Sequence, residues 1–151
     1  MPLLGHVKDF IGRTGAKITY DGKHACYRPD PNDIEMPARE RFLSGIHLCS
    51  TVFHELGHWT GAKQRLDRNL SCRFGTETYA VEELVAELSA AFICADLGIE
   101  HDPRDNIATY LESWLKVLNQ DKRAIVTAAV KAQAVADYLY SLQDEGNKEA
   151  A

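Results

Sequence analysis

The sequence predicts an α+β fold, mostly helical, with a small antiparallel sheet near the N-terminus. Three observations predict it. Short β-prone runs broken by turn residues are confined to residues 16–36. From residue 44 onward, apolar residues recur at helical spacing in long segments with start and stop signals. The 151 residues, 45% hydrophobic and 26% charged, suffice for one domain with a real core. That domain is expected over residues 1–143, with 144–151 a polar, frayed tail.

Residues 2–13 read as an amphipathic helix carrying Leu3, Leu4, Val7, Phe10 and Ile11 on one side, ended by Gly12 and Gly15. Strand-like runs follow at 16–20 and 25–28, with Asp21-Gly22 between them as a hairpin-turn signal. Pro29-Asp30-Pro31-Asn32-Asp33 is a turn, and Ile34-Glu35-Met36 a third strand stopped by Pro37. Residues 32–37 are a candidate edge strand lining a cleft, open to an extended peptide. A helix is expected at about 44–60, striped by Leu48, Val52, Phe53 and Leu56 and stopped at Gly61. Residues 61–76 read as a long loop, and 78–97 as a strong helix ended by Gly98. Asp102-Pro103 opens a helix at about 104–119. A last Ala-rich helix spans 122–143, with Ile125, Ala128, Ala132, Val135 and Leu139 on its apolar side.

Composition excludes several function classes. A net charge of −5 argues against a general nucleic-acid-binding surface. No apolar run approaches the roughly 18 residues that span a membrane, and no signal peptide is evident at the N-terminus. Cys26, Cys49, Cys72 and Cys94 form no C-x-x-C pair, which speaks against a thiolate zinc knuckle. All four read as free thiols in a reducing, cytoplasmic compartment.

The chemistry is concentrated in His54-Glu55-Leu56-Gly57-His58. Histidines four apart project from one helix face, so both imidazoles can bind one tetrahedral Zn²⁺. Glu55, beside the first, can take the proton of a water at the open position, which makes it the candidate general base. Catalytic zinc usually takes a third protein ligand. The helix at 78–97 offers Glu82, Glu83 and Glu87. A solvated acidic face would carry basic partners four residues on, but positions 86, 87 and 91 are Ala, Glu and Ala. Glu83 is favoured over Glu87 as the ligand, with Glu82 third. In that reading Glu87 accepts the other ring N–H of a ligand histidine and fixes its tautomer. Tyr27, Tyr79, Tyr110, His24 and His101 are candidates to stabilise an oxyanion, and sequence does not choose among them. His47 lies two turns before His54, too far to ligate; His6 and His101 read as surface positions.

Several long segments carry a family resemblance. They are Thr51-Val52-Phe53-His54-Glu55-Leu56-Gly57-His58-Trp59-Thr60-Gly61 with Arg65-Leu66-Asp67-Arg68, the run from Phe74 to Leu88, Ser113-Trp114-Leu115-Lys116-Val117-Leu118 and Asp121-Lys122-Arg123-Ala124-Ile125. Together with Ala25-Cys26-Tyr27-Arg28-Pro29 and Asp33-Ile34-Glu35-Met36-Pro37, the chain resembles the zincin-type metallopeptidase domain of ArdC-like antirestriction proteins and TraC-type plasmid primases over about residues 4–142. The resemblance implies a zincin-like α+β domain with metal on His54, His58 and a glutamate of the following helix. By similarity to gluzincins, Glu83 takes the ligand role and Glu87 the supporting one, although Glu87 stands where many gluzincins have Asp. The family is typical of plasmids, phages and other mobile elements, and its members often add an N-terminal single-stranded-DNA-binding domain. This chain starts almost directly at the peptidase-like part, as a stand-alone version or an excised fragment, so no direct nucleic-acid binding is expected of it.

Two functions are therefore weighed. One is a cytoplasmic zinc metallopeptidase acting on a polypeptide, such as a host defence protein, linked to anti-defence or conjugative transfer. The other is a non-catalytic zincin-fold antirestriction or DNA-processing binding module. Glu55, which a structural zinc site does not need, favours the enzyme.

Overall fold

The computed structural model describes residues 3–70, 76–101, 112, 114–116, 119 and 121–150, with side chains described to residue 144. The chain forms α1 (Gly5–Arg13), β1 (Ile18–Gly22), β2 (Cys26–Arg28), β3 (Asp33–Pro37), a 3-10 turn (Arg39–Arg41), α2 (Gly45–Trp59), α3 (Glu77–Asp96) and α4 (Arg123–Ala150). Residues 114–116 are also helical, and the remainder of the helix expected at 104–119 falls largely outside the described residues. α4 runs on to Ala150, past the point where the sequence suggested a frayed tail.

α2 occupies the centre. Every residue from His47 to Gly57 is buried, so this helix has almost no polar face to give to water. The sheet lies against it on one side and α3 on another, and α4 packs against α3. Ser44 caps α2 by accepting from His47 N–H at 3.0 Å, and Thr76 caps α3 by accepting from Tyr79 N–H at 3.2 Å. The core joins Val7, Phe10 and Ile11 of α1, Ile34 and Met36 of β3, Leu48, Val52, Phe53 and Leu56 of α2, Val85 and Ile93 of α3, and Val135 and Leu139 of α4. Gly57 permits the close approach of α2 to α3: a Cβ there would stand 2.8 Å from Ser89 Oγ and 3.0 Å from Ala86 Cα. Among the described residues, no helix is long and apolar enough to cross a membrane.

The sheet corrects the sequence expectation. Its order is β1-β3-β2, with β1 parallel to β3 and β2 antiparallel to it, so the sheet is mixed rather than mostly antiparallel. The hairpin is β2–β3, turned at Asn32, whose φ is 65° and whose N–H reaches Arg28 O at 2.8 Å. Asp21-Gly22 is not a hairpin turn, since β1 and β2 do not pair. Gly22 instead leaves room for the Glu35 side chain: a Cβ there would fall 2.2 Å from Glu35 Cγ, so that side chain would have to move. β3 also takes the centre, whereas the sequence suggests an edge strand at residues 32–37. It is the most buried strand, with Ile34 and Met36 fully enclosed, while β1 and β2 are half-buried. The cleft-lining edge is β2.

Candidate metal centre

Consecutive turns of α2 present His54 and His58 on one face, with ring centroids 4.9 Å apart. α3 crosses that face and places Glu83 against both rings. Glu83 Oε2 lies 3.3 Å from His54 Nε2, and Oε1 lies 3.2 Å from His58 Nε2. One donor atom from each of the three residues falls within 4.8 Å of the others. The opposite ring nitrogens are taken by two further acids of α3: His54 Nδ1 meets Glu87 Oε2 at 2.8 Å, and His58 Nδ1 meets Glu82 Oε1 at 3.1 Å. A carboxylate at Nδ1 selects the tautomer that leaves Nε2 as a lone-pair donor.

The acids are supported in turn. Arg68 grips Glu82 with Nε to Oε2 at 2.9 Å and Nη2 to Oε1 at 3.0 Å. His101 Nε2 lies 3.1 Å from Glu87 Oε1. Gly98, in the left-handed region at φ 71°, ends α3 and turns the chain back, with Ile99 N–H bonded to Cys94 O at 2.9 Å. His101 is therefore no ordinary surface position. His6 is exposed, with Nε2 at 3.1 Å from Leu97 O. His47 is buried near the start of α2, edge-on to Phe42 at 5.6 Å.

Glu55 is only 2% exposed, and its Oε2 accepts from Tyr27 N–H of β2 at 3.0 Å. The strand edge and the carboxylate thus form one wall of a cleft of about 330 Å³, which Cys26, Tyr79, His58, Glu82 and Glu83 also line. Of the oxyanion candidates, Tyr27 and Tyr79 line this cleft. The Tyr27 hydroxyl donates to Asn32 Oδ1 at 2.9 Å and accepts from Arg65 Nη2 at 3.1 Å. His24 is exposed and is not part of the cleft wall, and Tyr110 lies outside the described residues. Cys26, Cys49 and Cys94 are free thiols, while Cys72 lies outside the described residues.

The electrostatics favour a bound cation. Glu55, Glu82, Glu83 and Glu87 converge on one largely buried region, in which Arg68 supplies a permanent positive charge. Burial pushes the His58 imidazole down, but the carboxylates of Glu82 and Glu83 outweigh it and raise its pKa to about 10. His54 is likewise raised, with Glu83 and Glu87 overcoming burial. Burial works to raise the Glu83 carboxyl, yet the two histidines hold it well below the usual carboxylate range. Glu87 is drawn down to about 2 by His101 and His54 against its burial. The surrounding carboxylates thus favour positive charge at the two imidazoles, and a divalent cation offers the same compensation. Among the described residues, buried His54 Nε2 has no well-formed hydrogen bond and faces Glu83 Oε2 at 3.3 Å. A buried imidazole nitrogen so placed, beside a second imidazole and a carboxylate, fits a divalent metal ion such as zinc.

Sequence reasoning missed two supports. Arg68 stood only within a family-like segment, and Glu82 was ranked as a third-choice ligand, whereas it sits at the far nitrogen of His58. An arginine ten residues after the second histidine was the visible signal, but its target depends on how the loop closes.

A family model for zincin-like metallopeptidases matches residues 5–131. Uncharacterized protein y4eC of Sinorhizobium fredii is 42% identical over 139 residues, which cover 92% of this chain and 45% of that protein. DNA primase TraC of Escherichia coli is 41% identical over 133 residues, covering 87% of this chain and 9% of the primase. The metal-free crystal structure of antirestriction ArdC protein from the R388 plasmid gives a TM-score of 0.82 at 39% identity, over 95% of this chain and 52% of that one. Its Mn(II)-bound structure gives 0.81 at 38% identity, over 95% and 56%. The chain thus spans about half or less of the length of these relatives. Fold, converging donors and matched sequence agree: the chain belongs to the zincin-like metallopeptidase family.

Proposed function

We propose that the chain is a metal-dependent peptidase in which His54, His58 and Glu83 hold one zinc ion and Glu55 is the general base. The observation that supports this most is the meeting of two imidazole nitrogens at one carboxylate, beside a cleft whose wall carries a further acid. Bound there, the ion would polarise the scissile carbonyl and acidify water. The protein's own groups do the rest. Glu87 and Glu82 orient the two imidazoles through Nδ1. Glu55, anchored through Oε2 by Tyr27 N–H, takes the proton of the attacking water and delivers it to the leaving amine. β2, an edge strand at the cleft, offers backbone pairing to an extended polypeptide.

The proposed unit is residues 1–143, encoded on a mobile element and acting in the cytoplasm on a host defence protein. Because ArdC has been solved with Mn(II), metal analysis should include manganese beside zinc. A second reading has its own support: ArdC is named for antirestriction and TraC as a primase, so a zincin module that binds a DNA-processing partner without cleaving it also suits the fold. Glu55→Gln separates the two. The peptidase reading expects stoichiometric metal and a loss of cleavage of about 10²- to 10⁴-fold, read from new protein termini in a cell proteome. A Glu55→Gln protein with full biological effect and undiminished partner binding would favour the binding module.

A further inference from the structure

We infer that Arg68 is a positioning residue for the metal centre, acting on His58 through Glu82. This rests on the metal-binding reading proposed above and extends it to a residue that touches no metal donor. The guanidinium, 7% exposed at its side chain, makes four directed contacts. Two go to the Glu82 carboxylate, as described. The others are Nη1 to Thr60 Oγ1 at 3.0 Å and Nη2 to Gly57 O at 2.6 Å. Gly57 belongs to the last turn of α2 and Thr60 is its C-cap, a stretch where carbonyls run short of intrahelical donors and a cation is favoured.

One planar fork therefore fastens the end of the helix that carries His58 to the acid that orients His58. Glu82 Oε1 is shared between Arg68 Nη2 and His58 Nδ1, at 3.0 and 3.1 Å. With both its oxygens held, Glu82 has one orientation, and the His58 ring inherits it. The loop that delivers Arg68 is built for this. Leu66 N–H returns to Thr60 O at 2.8 Å, Asp67 N–H to Ala62 O at 3.0 Å and Arg68 N–H to Gly61 O at 2.9 Å. Asp67 adopts φ 51°, which a short polar side chain tolerates best. A lysine in place of Arg68 would keep the charge but could not span both oxygens of Glu82 and the end of α2 at once.

Arg65 provides the internal control. It lies in the same loop and stacks 3.9 Å over the Trp59 ring, and its hydrogen bonds go elsewhere: to Trp59 O at 2.6 Å, the Tyr27 hydroxyl at 3.1 Å and Asn32 Oδ1 at 2.6 Å.

The test measures Zn²⁺ affinity by competition with a chromophoric chelator, and the visible spectrum of the Co²⁺-loaded protein, on samples whose circular dichroism and melting temperature are recorded. Arg68→Met and Glu82→Gln are each expected to weaken Zn²⁺ binding about 10- to 100-fold and to shift the Co²⁺ bands. The double variant should lose little more than either single one, because both act through one contact. Arg68→Lys should recover part of the affinity, and Arg65→Met should leave it within about twofold. A folded Arg68→Met protein that binds Zn²⁺ as tightly as the wild type overturns the inference. So does additive loss in the double variant, or a loss in Arg65→Met matching that of Arg68→Met. If Arg68→Met does not fold, Glu82→Gln and Arg68→Lys carry the same comparison. A wild-type chain that binds no divalent metal would instead refute the metal centre itself.

Discussion

Gly57→Ala tests whether contact between α2 and α3, rather than helix propensity, decides stability at the centre of the molecule. Propensity alone favours the change, by about 1 kcal/mol for Gly to Ala inside a helix. The geometry opposes it. The new Cβ would sit 2.8 Å from Ser89 Oγ and 3.0 Å from Ala86 Cα, where unstrained contacts are about 3.5–4.0 Å. Ala86 Cα is backbone and Ser89 is fully buried, so neither can turn aside and the helices must part by on the order of half an ångström or more. Overpacking of this kind costs about 1–3 kcal/mol. The net expectation is a loss of about 1 kcal/mol, or about 2–4 °C in melting temperature for a chain of this size. Because α3 carries Glu83, the same displacement should weaken zinc binding. Ser89→Ala in the Gly57→Ala background removes the nearer clash and should restore part of the loss. Thermal unfolding followed by circular dichroism, in parallel with the chelator competition, reads both effects. A Gly57→Ala protein that melts at or above the wild-type temperature would refute the reasoning.

Two further outcomes follow from the core and the sheet. Phe53, fully buried and edge-on to Phe10 at 5.8 Å, should cost about 3–5 kcal/mol as Phe53→Ala in urea unfolding; a loss under about 1 kcal/mol would mean that α1 does not depend on that ring. Arg28, hydrogen-bonded to Asp33 at 2.7 Å through both Nε and Nη2, holds the Asp33 carboxyl below its usual range. A depressed carboxyl stabilises the fold above its unfolded pKa of about 3.9 and loses that contribution as pH falls through the lower folded value. The stability gap between wild type and Asp33→Asn should therefore close on acidification below about pH 4. A gap that stays constant down to pH 2 would count against the pair.

What could be read from the sequence was what is local in it. The span of α2 and its paired histidines depend on spacing along one helix, and they stand where periodicity puts them. The same holds for α3 and the Gly98 turn that ends it. The sheet was misread because strand order depends on contacts that no local pattern records. Asp21-Gly22 has the composition of a tight turn, yet the glycine makes room for the Glu35 side chain across a parallel β1–β3 pair. At the candidate site, the chemistry of His54, Glu55, His58 and Glu83 singled them out in the sequence, and the fold brings them to one place. The places of Glu82 and His101 were not legible because each takes its meaning from a distant chain segment. The Arg68 loop turns one into a support for His58, and the Gly98 turn brings the other back to Glu87.

The two imidazoles are thus held by separate guardians: a tight loop just after the motif for one, and the chain reversal beyond α3 for the other. A permanent charge serves the first and a titratable ring the second. Drift in either segment can reset the orientation of one imidazole while the five-residue signature stays letter for letter the same.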